Sequence, residues 1–126
     1  MKVEIKFLKN EDRENLREII ENETDTFLKE KGINHEAVVS FIFVSESEIK
    51  DLNQKYRKID QPTDVLSFPI WENEAAIPKK GIVNLGDVFI FENRVLENAK
   101  QSNKSFEEEL RFIVHHCLNH LIGKHH

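Results

Sequence analysis

A disulfide framework is the first thing this chain lacks: Cys117 is its only cysteine, and a lone thiol fits a reducing compartment. No apolar run approaches the length of a membrane span. Residues 1–15, MKVEIKFLKNEDREN, lack the uninterrupted apolar stretch of a signal peptide. These absences make the cytoplasm the expected location. Three prolines and four glycines in 126 residues, with no Pro/Gly/Ser-rich stretch, leave no candidate linker, so one domain over 1–126 is expected. Internal repeats and low-complexity segments are missing too. So is an excess of positive charge: 18 Lys and Arg stand against 23 Asp and Glu, for a net charge of −5. Attraction to nucleic acid over the whole surface is thereby excluded, because neutralising phosphates needs an excess of cations wherever contact is made. Any such contact must be local.

What the chain does have is apolar bulk, 39% hydrophobic residues with nine phenylalanines, enough to offset chain entropy over this length. Val3, Ile5 and Phe7 alternate with polar neighbours and predict a strand over 2–8. From Glu11 to about Lys31, Leu16, Ile19, Ile20, Phe27 and Leu28 recur at helical spacing, with Gly32 as a stop. Ala37–Val44, AVVSFIFV, reads as a strand covered on both faces in the middle of a sheet. Ser45 with Glu48 is a capping-box signal opening a helix to about Arg57, with Ile49, Leu52 and Tyr56 on its inner face. Strands are expected at Asp64–Ile70 and Gly81–Phe91, separated by a polar connection at 72–80. Helices follow at 92–101 and 106–122, the second with Ser105 as N-cap and Glu107, Glu108 and Glu109 at the positive end of its dipole. The order β-α-β-α-β-β-α-α predicts an α+β fold, a single mixed sheet of about four strands layered with helices. Strand order is not readable from it.

Five of the six histidines, His115, His116, His120, His125 and His126, crowd into the last twelve residues. On a helix, His116 and His120 lie one turn apart and project to one side, where two imidazoles can share an ion. Leu110, Ile113, Cys117 and Leu121 form an apolar stripe beside that edge and would fix the helix against the sheet, Cys117 serving as a small buried hydrophobe rather than a ligand. Gly123 can turn the chain so that His126 swings back as a third ligand. Three nitrogens with one open position is the arrangement of catalytic zinc. Two rival readings stand: His116 and His120 as ordinary surface histidines, and Lys124-His125-His126 as the remnant of an appended purification tag. His115 and His125 are expected to be bystanders. No glutamate follows His116 as in the H-E-x-x-H proteases, which weakens a protease reading. Asp64 and Asp87 could support ligands from behind, but Asp64 reads rather as a turn residue and Gly86-Asp87 as a bulge, and neither is expected to be catalytic. Lys50, Lys55, Arg57 and Lys58 form one compact basic group and Lys79-Lys80 a smaller one, either of which is read by default as a solvated face.

Three motifs in order carry a resemblance. His116, His120, Leu121, Gly123 and His126 match the pattern H-G-x-L-H-L-x-G-Y-D-H. Leu52–Pro69, LNQKYRKIDQPTDVLSFP, ends in T-D-V-L-S-F-P, and Leu85-Gly86-Asp87 followed by Val-Phe-Ile matches an L-G-D strand. In these the chain resembles the YbeY family of bacterial rRNA maturation factors, metal-dependent endoribonucleases, over nearly its whole length. It departs at Cys117 for Gly, Asn119 for Leu, Lys124 for Tyr and His125 for Asp, and it stops at the third histidine where family members usually continue. The resemblance implies one zinc (Zn2+) or other divalent ion per chain held by His116, His120 and His126. It implies Arg57 as the catalytic residue contacting RNA phosphate, a role that suits a planar guanidinium which stays charged. It further implies a single-strand-selective endoribonuclease in rRNA maturation and ribosome biogenesis, with rRNA and the ribosome or a ribosomal subunit as partners and no membrane. The rival functions are a non-catalytic metal-binding ribosome-associated factor and a metallohydrolase of another substrate class.

Overall fold

Each strand turns one apolar face inward, and the helices line up on the two sides so created. A computed structural model describes residues 2–34 and 36–123. The strands are β1 (Lys2–Lys6), β2 (Ala37–Phe43), β3 (Val65–Pro69) and β4 (Val83–Ile90), and the helices α1 (Glu14–Lys31), α2 (Glu46–Arg57), α3 (Glu92–Gln101) and α4 (Phe106–Leu121). Among the described residues the sheet has the order β1-β2-β4-β3. β1 and β4 both run parallel to β2, while β3 is antiparallel to β4 and forms an edge. This is the expected α+β architecture with a mixed four-stranded sheet.

The ends of the elements follow local chemistry. β1 stops at Lys6 rather than residue 8, because Leu8–Asn10 form a 3₁₀ turn with Lys9 at φ 55°. α1 begins at Glu14 rather than Glu11, with no side-chain cap at Arg13, and ends where Gly32 takes a left-handed conformation. α2 and α4 each open on a complete capping box, Ser45 with Glu48 and Ser105 with Glu108. In each box the bond from the serine backbone N–H, followed by that from its hydroxyl, holds the glutamate carboxyl below its ordinary pKa.

α4 packs against both α1 and α3 and lies on the sheet at β3 and β4. The main core lies on that side: Phe27, Val39, Phe41, Leu85, Leu118 and Leu121 are all buried there. β2 sits inside the sheet as expected, but it is not covered on both faces. Ala37, Val39, Phe41 and Phe43 are buried while Val38, Ser40 and Ile42 are half-exposed. The reason is that α2, on the opposite face, packs on β3 and builds a small second core from Val44, Ile49, Leu66 and Phe91. On α2 itself Ile49 is buried as expected and Leu52 half-buried, but Tyr56 is 55% exposed.

Gly86 interrupts β4 at a bulge: Val38 and Val39 of β2 pair with Asn84 and Gly86, leaving Leu85 as the extra residue. Gly86 has φ +139°, and a β-carbon there would stand 2.3 Å from the Phe68 carbonyl oxygen and 2.9 Å from Leu121 Cδ2. Edge strand β3 and the end of α4 meet over this one residue, which fixes the spacing of the cleft described next.

Candidate functional site

α4 buries Leu110, Ile113, Cys117 and Leu121, the stripe read from the sequence. The adjoining edge of the helix then carries His116, exposed, and His120, half-buried, toward β3. There they line an open cleft of about 320 Å³ together with Arg57, Val65, Leu66, Ser67 and Cys117. The end of α2 and the nearby edge strand β3 are thus brought together with the last turns of α4, about 50 residues further along the chain.

Each wall has its own support. Arg57 is the last residue of α2, which ends with Lys58 in the left-handed conformation. Asn53, buried one turn earlier, donates from Nδ2 to the Gln61 carbonyl at 2.8 Å and ties the following loop to the helix. Asp64 then starts β3. Its carboxylate accepts from the Val65 N–H at 2.8 Å, from the Thr63 hydroxyl at 3.2 Å and from Asn98 Nδ2 of α3 at 3.3 Å. These bonds account for Asp64 as a builder of the strand end. Asp87 pairs with Phe68, so it lies on the sheet face opposite Ser67 and away from the cleft, since side chains alternate along a strand.

Ser67 is the residue that sequence reasoning passed over. Its hydroxyl is hydrogen-bonded to His120 Nδ1, across 53 residues of chain. A partner on one ring nitrogen fixes the orientation of an imidazole. A polar residue on the inward face of a short strand was the only available signal, and it could not name the partner.

Cys117 lines the cleft but is 1% exposed. Burial, with a smaller contribution from the negative charge of Asp64, pushes its thiol up to about 12. Since the thiolate is the ligand and nucleophile, this cysteine is inert near neutrality. It should fail to react with a thiol reagent at pH 8 in the native protein and react fully once unfolded; fast native labelling would contradict its placement. His115 points elsewhere, with its ring edge-on to Phe27 at 5.1 Å and Nδ1 3.7 Å from Glu23 on α1.

Among the described residues no three of His, Cys, Asp and Glu gather as a metal-binding group. His126, the expected third ligand, lies outside the described residues, as do Lys124 and His125. The chain does turn at Gly123 (φ +88°), packed so closely on residues 72–73 that a β-carbon would come 2.7 Å from Asn73 Cα. No helix among the described residues is long and apolar enough to cross a membrane.

A mixed α+β fold that brings a histidine pair and an arginine to one open cleft is the class of protein that the structure defines. A family model described as endoribonuclease YbeY matches residues 3–126, and the chain belongs to that family. It is 40% identical over 108 residues to an endoribonuclease YbeY of Alkaliphilus metalliredigens, covering 86% of this chain and 70% of that protein. With the corresponding protein of Lysinibacillus sphaericus it shares 42% over 100 residues, 76% of this chain and 64% of the relative. The Thermotoga maritima protein is 41% identical over 113 residues, 90% of this chain and 65% of that one. The chain thus spans about two thirds of the length of these curated relatives. A solution structure from Thermotoga maritima superposes with a TM-score of 0.58 at 34% identity, over 94% of this chain and 72% of that one.

Proposed function

We propose that this chain is a metal-dependent endoribonuclease that cuts single-stranded segments of ribosomal RNA during ribosome maturation in the cytoplasm. The observation that carries the reading is the convergence of His116, His120 and Arg57 on one cleft, in a chain whose relatives are named endoribonucleases. The donor set fits a zinc-type ion: two imidazoles on one helix edge, one of them already held at Nδ1 by Ser67, with His126 as the third ligand. An ion held by these residues would supply Lewis acidity to a phosphoryl group. Arg57 grips phosphate oxygens with its planar fork and neutralises the charge that grows on them. Lys55 and Lys58 beside it form the local cationic patch that a chain of net charge −5 needs in order to meet RNA.

The test is cleavage of rRNA fragments, single-stranded and duplex, by the purified chain before and after chelation and with zinc restored. Cutting that is confined to unpaired RNA, is lost with chelator and returns with zinc is expected. Ribosome binding without any cutting would instead favour a non-catalytic ribosome-associated factor. Ser67→Ala is expected to weaken zinc binding about 10- to 100-fold, read by competition with a chromophoric chelator. An unchanged affinity would remove Ser67 from the site.

A further inference from the structure

Tyr56, the only tyrosine in the chain, continues the inner face of α2 one turn beyond Leu52, yet 55% of it is open to solvent. Its ring is nevertheless held. It meets Phe68 at 4.9 Å between centroids and 65° between planes, and Phe68 in turn meets Phe89 at 5.6 Å and 79°. Phe68 and Phe89 sit on neighbouring strands on the sheet face that α2 covers. A ladder of three rings therefore anchors the tyrosine to the sheet while leaving it exposed. A flat ring positioned by the core and open to solvent is a surface on which another flat group can stack.

Its surroundings specify what that group is. Lys55 places Nζ 5.2 Å from the Tyr56 centroid, and Arg57, the next residue, lines the histidine cleft. Phe68, which supports Tyr56, and Ser67, which holds His120, are successive residues of β3. They point to opposite faces of a strand that forms the edge of the sheet. A polyanionic strand with one phosphate at Arg57 would cross that edge and bring an adjoining base to Tyr56, with Lys55 beside it.

We propose that Tyr56 is a nucleobase-stacking subsite next to the scissile phosphate. The inference rests on the ribonuclease reading above and deepens it. Bases in a duplex are stacked on one another and unavailable, so such a subsite favours unpaired RNA without reading its sequence.

The experiment measures binding of a labelled oligouridylate to the full chain across a range of salt, with chelator present to stop cutting. Tyr56→Ala should weaken binding at least about five-fold and leave the slope of log affinity against log salt unchanged. Tyr56→Trp should retain binding. Arg57→Ala should reduce the slope by about 0.7, as loss of one phosphate contact on a single strand requires. A folded Tyr56→Ala protein that binds like the parent overturns the subsite, as does a loss of affinity accompanied by a lowered slope. Should Tyr56→Ala fail to fold, the parent protein is tested against oligouridylates carrying one abasic residue at each position. Weakening at one register supports the subsite, and indifference at every position overturns it. A parent chain that binds no RNA either in chelator or, at times too short for cutting, with zinc restored overturns both this inference and the ribonuclease reading, whereas binding that ignores Tyr56 overturns this inference alone.

Discussion

His120→Ala should lower RNA cleavage by about a thousand-fold or more while leaving the protein folded. On the proposed function His120 helps to hold a Lewis acid worth several kcal/mol of transition-state stabilisation, and each 1.36 kcal/mol is ten-fold in rate. Stability should change little, because the helix is fixed by Leu110, Ile113, Cys117 and Leu121, and His120 is only half-buried beside them. His116→Ala should behave alike. His115→Ala is the matched control: its side chain lies against Phe27 and Glu23 on the α1 side of the helix, so cleavage should stay within about two-fold of the parent. Single-turnover rates together with metal content per chain decide the matter. A His120→Ala protein that cuts at the parent rate would place the reacting centre elsewhere.

The largest effect on stability is expected from Gly86→Ala. The added methyl would stand 2.3 Å from the Phe68 carbonyl oxygen and 3.2 Å from its carbon. Those are backbone atoms of β3, whose ladder with β4 runs through Phe68–Asp87 and Pro69–Gly86, so neither strand can retreat without breaking pairs. At φ +139° the alanine would also be strained at its own backbone. A cost of about 3 kcal/mol or more follows, and for a chain of this length the thermal midpoint should fall by roughly 10 °C or more. Whatever relief the fold finds must move β3 or Leu121, and either shift alters the spacing between Ser67 and His120. Zinc affinity should therefore drop along with the melting temperature. Calorimetry showing a midpoint within a few degrees of the parent would mean that the bulge is softer than its geometry.

Much of this was legible in the sequence because it is local. Periodicity placed all eight strands and helices within three residues of their observed ends, and the Ser45–Glu48 and Ser105–Glu108 pairs marked two helix starts directly. The shared direction of His116 and His120 follows from one helical turn, and the inert burial of Cys117 from the stripe it belongs to. What could not be read depends on distant pairing. The position of β4 between β2 and β3 has no local signature. Without it one cannot see that α2 leaves half of the β2 outer face uncovered, or that Ser67 meets His120. Arg57 was singled out by family resemblance and by its chemistry; nothing in its own neighbourhood of sequence places it opposite a helix that begins at Phe106. Tyr56 was expected inside on helical spacing alone. It lies outside because α2 runs past the small second core before reaching it.

The histidine wall belongs to α4, which follows every strand in chain order, whereas Arg57 and Ser67 come from segments made much earlier. A domain of this size folds as a unit, and α4 covers the sheet face that carries the main core. A chain still lacking that helix would hold Arg57 and Ser67 but neither histidine, nor the packing that sets the width of the cleft, so the site and the fold are completed in the same step.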